Sequence, residues 1–462
     1  MFEPKIYIKR RDFLKKQMPS GLVLFLGNDE SPMNYTANAY HFRQDSSFLY
    51  FFGLDTPGLA AVIDLDEKKD VVFGDDFEIE DVIWMGYLPT VQDRASEVGV
   101  KQTGPLKALG PMLKEAQEKG RAIHFLPPYR PENILKLQAL LGIRPEEVKA
   151  KASPALIKAV VAQRSLKSDE EVAEIEKALK TTYKMYVTAM SMALPGIWEK
   201  DIAGRIDGLA IAGGGVVAFP TILSRDGQFL HNHSHKNRLK KGDLLVVDAG
   251  AQTPLGYAAD ITRTIPIGGK FTPAQKDIYE IVLKAQETAI KAIKPGVRYR
   301  DIHLQTARVI ASGLKAVGLM KGDVEEAVLQ GAHALFFPHG LGHMLGLDVH
   351  DMEDIGEGFV GYDEGIQRSS QFGLAYLRMA KELRAGHVMT VEPGIYFIPV
   401  LIDKWQKEGK FADFIAYERL ARYRGFGGIR IEDDVLVTRD GRRVLGKPIP
   451  KTPKRIEEAV IG

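Results

Sequence analysis

The stretch "GDLLVVDAG", residues 242–250, ends a buried-strand pattern on an acid. Leu244, Leu245, Val246 and Val247 form the short aliphatic run of a strand covered on both faces. Asp248 closes that run, although aspartate is depleted in strands and an unpaired buried carboxylate is costly. The run has an echo in "GHVMTVE" (386–392), which again sets a glycine, five residues and a carboxylate on an apolar strand. A second echo precedes each strand. "PGIWEKDI" (195–202) and "PGVRYRDI" (295–302) share a Pro-Gly and an Asp-Ile at the same spacing. Two matches in the same order predict a duplicated half-unit of helices followed by strands. Such a duplication can bring one acid from each half to a shared centre.

The helices of each half announce themselves by their caps. Ser168 stands three residues before Glu171, and Thr272-Pro273 is followed by Gln275, both capping-box patterns. Val172, Ile175, Leu179, Tyr186 and Met190 then recur at helical spacing. Pro195-Gly196 and Pro295-Gly296 mark where the two helices stop.

Two further acids lie in strand patterns. Asp260, in "GYAADITRT", sits 12 residues after Asp248 on the second arm of a predicted hairpin, and Glu432 lies in "GGIRIEDDVLV". With Asp248 and Glu392 they make four acids at strand ends in one domain, a grouping a cation explains better than four separate ion pairs. The stretch "HGLGHMLGLDVHD" (339–351) adds His339, His343 and His350. Its glycines disfavour a helix that would carry His339 and His343 on one face. One imidazole can complete a metal shell, and the others can carry protons or meet an oxyanion. Carboxylates and imidazole without thiolate form a hard site, suited to manganese, cobalt, magnesium or zinc. Four carboxylates carry more charge than one divalent ion needs, which predicts a pair of ions.

The remainder of the chain sets bounds. Its 462 residues predict at least two domains. Residues 1–155 read as an α/β domain with a mixed sheet, from strands in "GLVLFLG" (21–27), "AAVIDL" (60–65) and "DVVFG" (70–74). The aromatic stretch "FRQDSSFLYFFGLDTPG" (42–58) reads as core packing. Residues 156–462 form the second domain. Lys+Arg is 62 against Asp+Glu 60, so no polyelectrolyte face points to nucleic acid or membrane. Cysteine is absent, which excludes disulfides and thiol nucleophiles. The expected compartment is the cytoplasm, since neither a signal peptide nor an apolar membrane span is visible.

These blocks together resemble the proline-specific metallopeptidases of pita-bread fold, aminopeptidase P and Xaa-Pro dipeptidase (prolidase). "DAG" (248–250), "DITRT" (260–264), "HGLGHMLGLDVHD", "TVEPGIY" (390–396) and "GIRIEDD" (428–434) fit that family in its own order, and the 42–58 stretch looks like its N-terminal domain. The resemblance implies an α+β chain whose C-terminal pita-bread domain is internally duplicated. It implies two divalent ions, manganese first and cobalt or zinc in its place, held by Asp248, Asp260, His343, Glu392 and Glu432. Asp260 and Glu432 would bridge both ions. It implies catalytic or substrate-side roles for His231, His339, His350, Glu392 and Arg430, and a carboxylate-binding role for Arg378 if dipeptides are cut. The substrates would be proline-containing peptides and the protein a homo-oligomer, dimer or tetramer. An inactive protein-binding module of the same fold, or a relative such as methionine aminopeptidase, is the alternative. The Asp248–Asp260 interval is one residue longer than in most members, which a longer hairpin turn would absorb and a register slip would not. His233 and His235 read as rim residues. The 357–428 segment looks closer to prolidase than to the shorter bacterial enzymes.

Overall fold

In the computed structural model, which describes residues 1–461, the chain divides into two compact units. One comprises Met1–Arg164 with Met352–Phe359. The other comprises Ser165–Asp351 with Val360–Gly462. The division falls after Arg164 and not at 155, because the helix Pro154–Arg164 belongs to the first unit. Gln163 donates to the carbonyl of Arg10, and Arg164 donates to Ser47 Oγ at 3.0 Å.

The first unit holds a five-stranded mixed sheet. Its strands are β1 (Leu22–Leu26), β2 (Ala60–Asp64), β3 (Lys69–Phe73), β4 (Gln102–Gly104) and β5 (Ile123–His124), in the order β4-β3-β2-β1-β5. β2 runs antiparallel to both β1 and β3, and β4 and β5 add in parallel at the two edges. The aromatic stretch folds as the helix Ser46–Phe52, all of it buried, with Phe51 and Phe52 packed on Phe25 of β1. It is core, as its composition predicts.

In the second unit the duplication is structural. Helix Asp169–Ser191 opens on the Ser168/Glu171 capping box, and helix Pro273–Ala292 on the Thr272/Gln275 box. Each is followed by a partner helix, Glu199–Ala212 or Tyr299–Ala316. The turns between them match bond for bond. Gly196 N donates to Leu239 O, Leu239 N to Ile197 O, and Glu199 N to Asn237 O. One repeat later, Gly296 N donates to Leu383 O, Leu383 N to Val297 O, and Tyr299 N to Lys381 O. Gly196 and Gly296 have φ of 95° and 84°, a left-handed turn that glycine adopts without strain.

The strands of this unit are β6 (Val216–Val217), β7 (Ile222–Ser224), β8 (Leu244–Ala249), β9 (Ala251–Gln252), β10 (Ile261–Pro266), β11 (Val388–Val391), β12 (Gly394–Tyr396), β13 (Gly428–Arg430), β14 (Asp433–Val437) and β15 (Arg442–Val444). They form sheets β10-β8-β7 and β11-β14-β15, with the pairs β12-β13 and β6-β9. β8 and β10 are antiparallel, with Asp248 opposite Thr262. The connection between them turns at Thr253–Gly256, where the Gly256 amide donates to the Thr253 carbonyl, and both Asp248 and Asp260 are buried.

Candidate metal centre and active site

The acids sit where strands end. Asp248 lies near the end of β8, Asp260 one residue before β10, Glu392 one after β11, and Glu432 between β13 and β14. Strand alternation then sets what each neighbour can reach. Along "DITRT", Asp260, Thr262 and Thr264 share one face. Thr262 Oγ1 donates to Glu432 Oε2 at 2.7 Å and accepts from Arg430 Nε at 3.2 Å. Thr264 Oγ1 bonds both the amide and the carbonyl of Arg430. The other face presents Arg263 to Asp433 Oδ1 at 2.7 Å. Sequence reading missed Thr262 and Thr264; a period of two counted from Asp260 would have found them.

The histidine stretch is irregular chain, as its glycines predict. A Cβ on Gly342 would lie 2.1 Å from the Thr390 carbonyl oxygen, so only glycine lets this segment lie against β11. The contact sets His343, whose amide donates to Thr390 Oγ1 at 3.0 Å. Its Nδ1 lies 3.1 Å from the carbonyl of Met344. A carbonyl only accepts, so the proton sits on Nδ1, and Nε2 presents a lone pair. That lone pair faces Asp260 Oδ2 and Glu392 Oε1, each at 3.5 Å.

Three potential ligand atoms converge here. One donor atom from each of Asp260, His343 and Glu432 lies within 4.8 Å of the others. Asp260 Oδ1 and Glu432 Oε1 are buried with no hydrogen-bond partner. Burial, then the neighbouring carboxylates, pushes the pKa of Asp260 and Glu432 well above the usual range. Glu392 is raised mainly by burial, and Asp434, whose Oδ2 accepts from the Asp260 amide at 3.1 Å, is raised for the same reason. Unmet lone pairs, carboxylates crowded out of water and a hard donor set are what a divalent cation satisfies, so the residues fit a metal.

Around this centre, Arg430 donates to Asp248 Oδ2 at 2.5 Å and to the Tyr396 hydroxyl at 2.9 Å. Tyr396 in turn lies 2.9 Å from His339 Nε2. His339 Nδ1 donates to the Gly340 carbonyl at 2.8 Å, so Nε2 accepts from the tyrosine. Burial, with Arg430 adding to it, holds His339 down at about 3, a neutral ring. Tyr396 was quoted in "TVEPGIY" without a role, and its partners are its role. His350 is half-buried, its ring edge-on to that of His343 at 4.3 Å. His231 is largely exposed at the rim; partial burial and then the Arg430 charge lower its pKa. His233 is exposed, and His235 bonds the Thr221 carbonyl at 3.1 Å. Arg378 is half-buried in irregular chain after the turn Leu374–Tyr376. Burial lowers the pKa of His343 most, and the charge of Arg378 lowers it further.

Comparison with known proteins identifies the family and the fold. Residues 173–439 match metallopeptidase family M24, and residues 7–124 match the aminopeptidase P N-terminal domain. The chain is 31% identical to the human Xaa-Pro dipeptidase over 96% of its own length and 89% of the relative's. It is also 31% identical to the Escherichia coli Xaa-Pro aminopeptidase, over 98% and 97%. Among solved structures, Pseudomonas aeruginosa aminopeptidase PepP superposes with a TM-score of 0.81 at 30% identity, covering 100% of this chain and 98% of that one. Zinc-substituted E. coli aminopeptidase P in complex with product gives 0.81 at 29% identity with the same coverage.

Proposed function

This chain belongs to metallopeptidase family M24, and we propose that its site cuts the bond between a first residue and a following proline. It is a metal-dependent Xaa-Pro exopeptidase. The observation that carries the reading is the convergence of His343 Nε2 on Asp260 and Glu392, beside orphaned oxygens of Asp260 and Glu432. Asp248, Asp260, His343, Glu392 and Glu432 are the residues that would hold the ions, with Asp260 and Glu432 the two we assign to serve both. When bound, divalent ions activate water near neutral pH and polarise the scissile carbonyl. On the family resemblance we assign two manganese ions, with cobalt or zinc able to substitute, in a cytoplasmic homo-oligomer.

The chain's own residues then do the following. Arg430 neutralises Asp248 and holds Tyr396, which keeps the Nε2 edge of His339 fixed. To His350, whose ring packs against His343 and is partly open to solvent, we assign donation to the developing oxyanion. His231 at the rim lines the substrate side. Proline nitrogen carries no hydrogen in the peptide, so it must gain a proton to leave. Glu392, a carboxyl whose pKa is raised by burial, is suited to deliver it.

The test is hydrolysis of Ala-Pro, Ala-Pro-Ala and Met-Ala after chelation, with manganese, cobalt or zinc added back. Cleavage confined to the two proline peptides, and only with metal, is the expected result. Cleavage of Met-Ala at a comparable rate, or of no proline peptide with any ion, would overturn the reading.

A further inference from the structure

Behind the site, Lys167 and Asp351 form an ion pair out of contact with solvent. Lys167 Nζ lies 2.7 Å from Asp351 Oδ2, and both side chains are 1% exposed. A pair buried so deeply is weak evidence for stability, because desolvation offsets much of the attraction. Its position offers another use. Asp351 directly follows His350. Its amide donates to the Met344 carbonyl at 2.9 Å, closing the segment 344–351 into a loop, and its Oδ1 lies 3.4 Å from the Asp348 amide.

The loop is fixed at its other points as well. Leu345 N donates to Val388 O of β11, and the Gly346 carbonyl accepts from Ala258, two residues before Asp260. Lys167 is itself held, since its amide donates to the Gly386 carbonyl at 2.8 Å, just ahead of β11. Gly346 is shaped to the pair. A Cβ there would lie 2.6 Å from Asp351 Oδ2 and 2.9 Å from Lys167 Cε. Between these anchors Asp348, Val349 and His350 are half-buried, and the His350 ring packs edge-on against that of His343. At the His350 end of the loop, Lys167 ties the Asp351 side chain.

We propose that Lys167 is a positioning residue of the active site: through Asp351 it holds the loop that aims His350 at the substrate carbonyl. The inference rests on the exopeptidase reading and on the role given there to His350. It assigns Lys167 no contact with substrate or metal.

The experiment is a double-mutant cycle with His350, in manganese-loaded protein, on Ala-Pro-Ala. Lys167→Met should keep its metal content and its KM within about twofold, while kcat falls at least tenfold. In a His350→Ala background the same change should cost less than twofold, because the residue it acts through is gone. Lys167→Arg, which keeps the charge, should recover part of the loss. Gly346→Ala, which crowds the pair without removing it, should lower kcat in the same way if Lys167→Met does not fold. Losses that multiply in the double variant, or that track lost metal, would show a fold staple and overturn the inference. So would an unchanged kcat in both Lys167→Met and Gly346→Ala. Inactive wild-type protein on every proline peptide would instead refute the exopeptidase reading itself.

Discussion

Arg430 meets Asp248 at 2.5 Å across two strands that lie 182 residues apart in the chain, and both side chains are buried. The same guanidinium also serves Tyr396 and Thr262. Removing it leaves Asp248 a buried, unmatched acid. Arg430→Met is expected to destabilise the metal-free protein by about 3–5 kcal/mol, the range for breaking one side of a buried pair. Arg430→Lys should recover little, because one ammonium cannot reach three partners in fixed directions. Denaturant unfolding checks both, and a cost below about 1 kcal/mol for the methionine would contradict the role.

The metal assignment makes a prediction about heat as well as rate. Manganese added to chelated protein should stabilise the fold by roughly 2.7 kcal/mol at a hundredfold excess over Kd, and so raise the midpoint of thermal unfolding. Asp260→Asn and Glu432→Gln should abolish both this shift and activity, since an amide cannot bridge cations as a carboxylate does. Metal analysis and calorimetry on the two variants decide it, and full activity in either removes it from the ligand set.

The histidines should separate by what they lose. His343→Ala is expected to lose metal. His339→Ala and His350→Ala should retain metal and lose about 10²–10³-fold in rate, the usual weight of one acid–base or oxyanion group. If all three shed metal alike, the division between ligand and outer residues is wrong.

His303 and His333 lie buried in the same unit, and neither ring nitrogen of His303 has a hydrogen-bond partner. Burial pushes His303 down to about 3 and His333 to about 4. In the unfolded chain both titrate near pH 6.5. Their contribution is therefore complete above that pH and is lost as pH falls toward the folded values. Metal-free wild type should lose stability more steeply between pH 6.5 and 4 than a His303→Phe/His333→Phe variant. Parallel profiles would mean that the rings do not drive the acid limb.

Arg378 bears on substrate length. A dipeptide ends in a carboxylate beside the proline ring, and a guanidinium near the centre can pair with it in bidentate fashion. Arg378→Ala is expected to weaken Ala-Pro hydrolysis by about 2–4 kcal/mol in apparent transition-state binding and to change Ala-Pro-Ala far less. Equal losses on both substrates, read from kcat/KM, would favour an enzyme for longer chains.

The sequence alone determined the parts that local pattern encodes. Capping boxes placed Ser168 and Thr272 at helix starts, apolar runs placed β1, β2, β3 and β8, and two echoed motifs disclosed the repeat. The acids were legible because a carboxylate ending an apolar strand violates the local rule, and such violations gather at functional sites. Only the tertiary structure decided which atoms meet. Thr262 touches Glu432 across 170 residues, Tyr396 joins Arg430 to His339, and Lys167 finds Asp351 across 184. Periodicity tells which face a side chain takes; its partner depends on strand register and on how the two repeats pack. The two units also divide at Arg164 because one helix buries its side chains with the first, a choice made by contacts and not by local composition.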